Sequence, residues 1–458
     1  MSNPLIALAD HAAEWRGRPL DPDLAHHARR ALVDWFAALL PGCQHPPATL
    51  MAAALPPDAP PPDAVAGAPG AAFCYVDGRP SSLRRAALLN ATASHSVEFD
   101  DIHRDSGLHP GCPTIGAALA AAQARGAALA DLLRAVIAGY EVAGRIGLAV
   151  MPSHYRHWHI TGTVGTFGAA AAVSVLLGSD AARTAHGLAT AATMAGGLQQ
   201  AFRGAGMSKP LHAGHAAEAG ALAALAAHAG VTGALDVLDG PVGFAAATSE
   251  DTGKWDKALA GLGETHAIAS ITVKNHGCCG HIFPALDGLT ALREAHGFGP
   301  DDIEAIHVGG YGPTKQICDR PVAETEQEAR FSAQYCVSAL LVLGGVRIAA
   351  FAPDRLRDPA ILALMPRVSV SLDPELADAY PRRRAAKLRV TLRDGRVLEH
   401  YQPTRKGDPD MPLSDAELSA KFLELAGPAI GEATARNLLD ALWQGESLPG
   451  AIRATPAG

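Results

Sequence analysis

His95-Ser-Val-Glu98-Phe-Asp100-Asp101-Ile-His103-Arg-Asp-Ser-Gly-Leu-His109-Pro110-Gly111 is the stretch around which the chain is organised. An alanine-rich run precedes it, Ala86 to Ala93, and another follows it, Ala117 to Ala122. Both runs read as buried helix. Acids and imidazoles set between two buried helices are costly unless they are paired or functional. Gly107 and Pro110-Gly111 punctuate the stretch into a shaped loop, and loops on rigid scaffolds often carry function.

Helical signals extend on both sides. Asp21-Pro22 opens a helix, with Asp as N-cap and Pro at the first position. Leu24, Ala28, Leu32, Trp35 and Leu39 follow at helical spacing. Residues 41–70 are rich in Pro and Ala with no periodic face, and are expected to be an irregular excursion. Residues 114–150 read as two helices broken near Gly126, Gly162 to Leu177 as a Gly/Ala helix, and 180–202 and 209–229 as further helix. After about residue 268 the texture changes. Ile303–Val308, Arg367–Leu372 and Lys387–Leu392 read as strands, the last turning at Asp394-Gly395, a hairpin signal. Helices at about 283–296 and 332–345 lie between them. After Pro412-Leu413-Ser414 the helical pattern returns. The expected fold is therefore mainly α: a large all-helical domain, residues 1–268 and 406–458, with an inserted smaller α+β domain at 269–405.

At 458 residues, two domains are the expectation, and a composition 48% hydrophobic and 18% charged provides a large core. A formal net charge of -8 argues against nucleic acid as a partner. Seven scattered cysteines do not form a disulfide framework, which points to a reducing, cytoplasmic setting. Met1–Asp10 shows no signal peptide. The apolar runs near Ala169–Leu177 and Ala216–Ala227 are broken before the roughly 18 residues of a spanning helix. The expectation is a soluble protein with no membrane partner.

Four more polar patches stand beside the opening loop. They are His154-Tyr-Arg156-His157-Trp-His159-Ile-Thr161-Gly162-Thr163; Arg203-Gly-Ala-Gly-Met-Ser208-Lys209-Pro210-Leu-His212-Ala-Gly-His215; Lys274-Asn275-His276-Gly277-Cys278-Cys279-Gly280-His281; and Phe331-Ser332-Ala-Gln334-Tyr335. A lone His in a helical protein is usually a surface or satisfied core residue, so His26, His27, His45, His228 and His296 are given no role. Two lysines, an arginine and several imidazoles in loops at the ends of apolar helices are different. If they converge, they imply an anionic substrate, carboxylate or phosphate. Gly162, Gly165 and Gly168 are spaced G-x-x-G-x-x-G with no strand before them, which is not a nucleotide loop. His154, His157 and His159, or His212 and His215, or Asp100, Asp101 and His103 are the metal-ligand sets available. None has a spacing such as H-E-x-x-H, and Cys278-Cys279 are adjacent rather than two apart, so no metal is expected.

At these residues the sequence resembles the MmgE/PrpD family, along most of the chain. The similar motifs are Glu98-Phe-Asp-Asp101-Ile-His103 followed by His109-Pro110, His159-Ile-Thr-Gly-Thr-Val-Gly-Thr-Phe-Gly168, Met207-Ser-Lys209-Pro-Leu-His212-Ala-Gly214, Phe331-Ser-Ala-Gln-Tyr335 and Lys406-Gly-Asp-Pro409. The resemblance implies a helical domain carrying both chain ends, an inserted α+β lid, a homodimer, no organic cofactor, and an active site at the domain interface. It implies catalytic roles for Asp101, His103, His159, Lys209 and Lys274. His109, Arg203, His276, His281 and Tyr335 are the expected substrate-binding residues. One departure is visible: where the family shows a Pro-Tyr-Pro-like run after the lysine, this chain has Asn275-His276-Gly277, and Phe283 stands where a later His often falls.

The family's reactions move a proton at carbon next to a carboxylate. That needs cations against the developing enolate-like charge and an acid and a base on suitable faces. Lys209 and Lys274 suit the first role. His103 and His159 suit the second, since imidazole titrates near neutrality, with Asp101 orienting His103. The expected activity is that of a hydro-lyase, a dehydratase of a small di- or tricarboxylate such as a 2-methylcitrate- or citrate-like acid. The alternatives are a decarboxylase of the cis-aconitate type and an epimerase of a substituted succinate. From other classes come a metal-dependent hydrolase built on the histidines and a non-catalytic carboxylate-binding protein.

Overall fold

The computed structural model describes residues 3–57, 70–202 and 206–454. The protein is mainly α, and the chain divides into two compact units, residues 1–272 with 414–458, and residues 273–413. The first unit is helical apart from two-residue and three-residue strands. Asp21 caps the helix Pro22–Gly42, its carboxylate accepting from the N–H groups of Asp23 and Leu24, an interaction worth about 1 kcal/mol. The helices Gly111–Arg125 and Leu129–Val150 are separated at Gly126, whose φ of +62° ends the first of them. Between Pro41 and residue 57 the chain departs from the irregular reading: Ala48–Ala54 is helical, while residues 58–69 lie outside the described residues.

The helix Gly165–Leu177 is buried along its whole length. Two glycines explain how its neighbours approach it so closely. A Cβ on Gly139 of the helix Leu129–Val150 would lie 2.6 Å from the carbonyl oxygen of Gly168. One on Gly220 of the helix Ser208–His228 would lie 2.4 Å from that of Thr166. Here the glycines set backbone-to-backbone packing rather than a phosphate loop. Against the expectation that the apolar runs are interrupted too early, the 18 residues Ile160–Leu177 are long and apolar enough to cross a membrane. All of them are buried inside the protein, the position of a core helix.

The C-terminal segment rejoins the first unit through the helix Asp415–Ile430, which opens on a capping box formed by Ser414 and Glu417. Its Lys421 is buried and pairs with Asp34 of the Pro22–Gly42 helix, Nζ to Oδ1 2.6 Å.

The second unit is built on a four-stranded sheet in the order Val368–Leu372, Ile303–Gly310, Ala386–Leu392, Val397–Gln402. The first pair is parallel and the others antiparallel. Ala386–Leu392 alternates buried and less buried residues, as a half-covered strand should. Its inward residues Leu388, Val390 and Leu392 join one core with Leu286 and Leu289 of the helix Phe283–His296 and Val337 and Leu340 of Ala333–Leu343. The hairpin turns at Asp394-Gly395, with Gly395 at φ +88°. Residues 406–413, expected in the helical return, belong to this unit. The Val273 N–H donates to Gly407 O (2.9 Å), and the Lys406 N–H donates to Asp287 (2.8 Å). The division therefore falls at 272/273 and 413/414.

Candidate active site

Within the first unit, the helix Leu83–Ser94 ends at His95, and the chain enters the acidic loop. Glu98 takes a left-handed φ of +59°, a conformation that costs a side-chain-bearing residue free energy and clusters at functional sites. Ile102-His103 then pairs antiparallel with Ile271-Thr272. The turn at Gly107, φ +70°, brings the chain back, so that the His103 N–H donates to Leu108 O at 2.7 Å. The helix Gly111–Arg125 begins immediately afterwards.

This path gathers two imidazoles on one carboxylate. Asp100 Oδ2 lies 2.7 Å from Nδ1 of His95 and 2.7 Å from Nδ1 of His109. The Cys112 thiol also reaches that oxygen, at 3.3 Å. His95 and Asp100 are buried, whereas the His109 side chain keeps 14% of its surface exposed. The His95 ring stacks on His159, centroids 5.6 Å apart and planes within 15°. His159 in turn places its Nδ1 3.0 Å from Nδ1 of His212. The backbone ties these pieces together, because the His109 N–H donates to the Thr161 hydroxyl at 3.2 Å. Lys209, in the first turn of the helix Ser208–His228, is buried and ion-paired with Glu98. Its ammonium sits 5.4 Å from the centre of the Phe202 ring, whose edge or face contact with His159 spans 4.8 Å.

The electrostatics follow from this packing. Burial pushes the His159 imidazole well below its ordinary range, and the neighbouring His95, Lys209, His212 and His109 push it further. His212 is lowered to about 4, by burial first and then by His95, His215 and Lys209. The cluster thus sets one ammonium, Lys209 paired with Glu98, beside imidazoles kept short of protons, which offer N–H donors and would gain protons beside an entering anion.

Asp101 and His103 are not a pair. Asp101 accepts from the Gly111 N–H (3.0 Å) and from the Tyr140 hydroxyl (2.7 Å), which occupies both its oxygens. A Cβ on Gly111 would come within 2.7 Å of Asp101 Oδ1, so the glycine admits this carboxylate at the helix start. Burial, and then Asp34, raise Asp101 to about 7. His103 instead places Nδ1 2.8 Å from the Ser106 hydroxyl, and burial lowers it to about 4. Two positions apart would share a face only in an extended segment, but the strand begins at Ile102, after Asp101, and the turn at Gly107 gives the ring of His103 its own partner in Ser106.

The other expected residues fall outside the first unit's described residues. Arg203 is outside the described residues. Lys274, His276, His281 and Tyr335 belong to the second unit. Lys274 is buried. His276 Nε2 lies 3.0 Å from Asp287. His281 Nδ1 lies 2.9 Å from the Tyr311 hydroxyl, and burial lowers it to about 3. Tyr335 is a core residue rather than a ligand-binding one: it is fully buried, and its hydroxyl donates to Ala350 O at 2.6 Å. A tyrosine can fill a core once its hydroxyl finds a carbonyl.

The sequence assigns no role to His95, and offers Asp100 and His212 only as members of metal-ligand sets without a suitable spacing. The one local signal was the spacing of His95, Asp100 and His109 on the two sides of a Gly turn. These three are also the group among the described residues whose donor atoms, all within 4.8 Å of one another, could hold a metal ion. That set differs from the Asp100, Asp101, His103 combination drawn from spacing.

Comparison with known proteins agrees with the extent of these motifs. The MmgE/PrpD N-terminal domain matches residues 6–255 and the MmgE/PrpD C-terminal domain residues 276–444. The chain is 29% identical to the cis-aconitate decarboxylase of Homo sapiens over 77% of its own length and 75% of that protein's. It is 28% identical to the cis-aconitate decarboxylase-like protein oryM of Aspergillus oryzae over 93% and 91%, and 25% identical to the cis-aconitate decarboxylase of Aspergillus terreus over 81% and 80%. The two domain matches span most of the sequence, and the chain belongs to the MmgE/PrpD family.

Proposed function

We propose that this MmgE/PrpD enzyme is a lyase that decarboxylates a small unsaturated tricarboxylate of the cis-aconitate class. The relatives are decarboxylases rather than dehydratases, which favours this reading over the dehydration expected from sequence. The observation that carries it is the gathering of His95 and His109 on Asp100 beside His159, His212 and Lys209, in a chain that resembles such decarboxylases over most of its length.

Decarboxylation breaks one carbon–carboxylate bond, leaves its electron pair on the carbon skeleton, and consumes one proton as carbon dioxide departs. The remaining carboxylates must be held while that negative charge spreads onto them. Lys209 and the His159–His212 pair supply this part. The proton must come from an accessible acid. His109 is the partly exposed imidazole on Asp100, and with its Nδ1 turned to the carboxylate, Nε2 is the nitrogen left for the substrate. Asp100 fixes the tautomer, and His95 and Cys112 hold Asp100 from behind. Asp101 supports the site by capping the following helix.

The test is incubation with cis-aconitate, citrate, 2-methylcitrate and substituted succinates in deuterated water, followed by proton NMR and gas analysis. Carbon dioxide from cis-aconitate, with one deuterium fixed on carbon in the product, is expected. Water loss from a hydroxy acid without gas would give the reaction to a dehydratase. Deuterium exchange without net conversion would give it to an epimerase. The homodimer implied by the family belongs to the same proposal, and light scattering should give twice the 47.2 kDa chain mass.

A further inference from the structure

The peptide that presents Asp100 is anchored from the far end of the chain. Lys421 Nζ donates to the carbonyl oxygen of Phe99 at 2.9 Å and to Asp34 at 2.6 Å, and lies 5.4 Å from the centre of the Phe99 ring. Lys421 and Asp34 are each about 1% exposed at the side chain. On the other side of Asp100, Asp101 is fixed by Tyr140 and the Gly111 N–H. Asp100 is thus bracketed by two residues whose polar groups are tied to four helices, Pro22–Gly42 and Asp415–Ile430 through Lys421, Leu129–Val150 through Tyr140, and Gly111–Arg125 through the Gly111 N–H.

A buried ion pair is a poor device for stability alone, since a well-packed apolar pair often does as well or better. This one does more than neutralise itself: beside Asp34 the ammonium has a second hydrogen-bond partner, the backbone carbonyl of Phe99, next to the carboxylate that meets both imidazoles. We propose that Lys421 is a positioning residue of the active site, which acts through the Phe99 carbonyl to aim Asp100 at His95 and His109. The inference rests on the reading that Asp100 and His109 handle the proton. It makes the segment after the second unit, separated from residue 272 by the 141 residues of that unit, part of the catalytic apparatus.

The experiment compares the whole protein with Lys421→Met, Lys421→Gln and the charge-balanced Asp34→Asn/Lys421→Met. The readouts are thermal melting, steady-state kinetics on cis-aconitate, and ¹⁵N-imidazole NMR of His95 and His109 assigned by single His→Gln variants. Lys421→Met alone strands Asp34 and should melt early. The double variant removes both charges and should recover most of the melting temperature, yet kcat should stay down by about tenfold or more, with KM changed far less, as expected for a lost orienting contact. The His95 and His109 ring signals should shift in both Met variants. Lys421→Gln, whose amide can still donate to the Phe99 carbonyl, should recover part of kcat. If instead kcat simply follows melting temperature in all variants and the ring signals do not move, Lys421 is structural and the proposal falls. If the wild type releases no carbon dioxide but the ring signals still shift in the Met variants, the proposed activity is overturned while the positioning of Asp100 by Lys421 stands.

Discussion

Nδ1 of His159 lies 3.0 Å from Nδ1 of His212. At that separation one nitrogen donates and the other accepts, so the pair shares a single proton between the two rings. Both imidazoles are held below their ordinary range by burial and by the cations around them. A polycarboxylate entering the cluster reverses the second effect. Its negative charge raises both values, and between the lower free value and the higher bound one the complex holds more protons than the free protein. Binding should therefore take up protons and should tighten as pH falls through that window, above the value of about 4 that His212 has without ligand. Calorimetry with citrate at pH 6 to 7, in buffers of different ionisation enthalpy, should report uptake of about one proton. Zero uptake, or release, would show that these rings do not face the anion.

The ion pair of Lys209 with Glu98 changes what a lysine substitution should do. Both partners are buried. Lys209→Ala removes the buried counter-charge of Glu98 and should cost about 3–5 kcal/mol of stability as well as activity. The variant that isolates function is Glu98→Gln/Lys209→Met. It should melt close to wild type and still lose about tenfold to a hundredfold in kcat/KM, the worth of a charge-assisted contact to a carboxylate. A double variant with wild-type kcat/KM would remove Lys209 from substrate binding. Lys274→Ala is held to the same kinetic threshold.

How much of this was legible beforehand depends on the range of the interaction. The Asp21-Pro22 cap, the break at Gly126 and the Asp394-Gly395 hairpin are local signals, and each falls where the residues put it. The loop from His95 to Gly111 was recognisable as the centre of the chain, but its internal pairing was not. Which acid meets which imidazole is decided by the left-handed Glu98 and the turn at Gly107, and no period in the sequence encodes a side chain's direction through such a path. Asp101 looked like the partner of His103 because they are two apart. Its actual partner, Tyr140, is 39 residues away. The Asp34–Lys421 pair spans 387 residues, and nothing local marks either residue. Tyr335 drew attention through a motif that serves the core of the second unit.

His103 and His109 separate the two readings of the loop. His103 is bonded to Ser106 and lowered to about 4 by burial. His103→Gln should chiefly lower the melting temperature, leaving kcat within a few fold of wild type, about 1 kcal/mol of barrier or less. A loss of kcat of a hundredfold or more at unchanged melting temperature, about 2.7 kcal/mol, would return the proton-transfer role to His103.

Chelation tests the metal question. His95, Asp100 and His109 could hold an ion, but His95 Nδ1 already makes a 2.7 Å hydrogen bond to the carboxylate oxygen that such an ion would use. A proton, not an ion, is expected between His95 and Asp100. Dialysis against a chelator should leave the rate unchanged. A loss of activity that added zinc or iron restores would replace the acid–base assignment with a metal site.

The measurement that bears most directly on the central claim is the initial rate of carbon dioxide release from cis-aconitate by the wild-type protein and by His109→Gln, with melting temperatures recorded for both. The account predicts release by the wild type and a loss of about 10² to 10⁴ in kcat for the variant at nearly unchanged stability, the usual worth of a positioned proton donor. A wild-type protein that releases no carbon dioxide, or a folded His109→Gln that releases it at the wild-type rate, would contradict it.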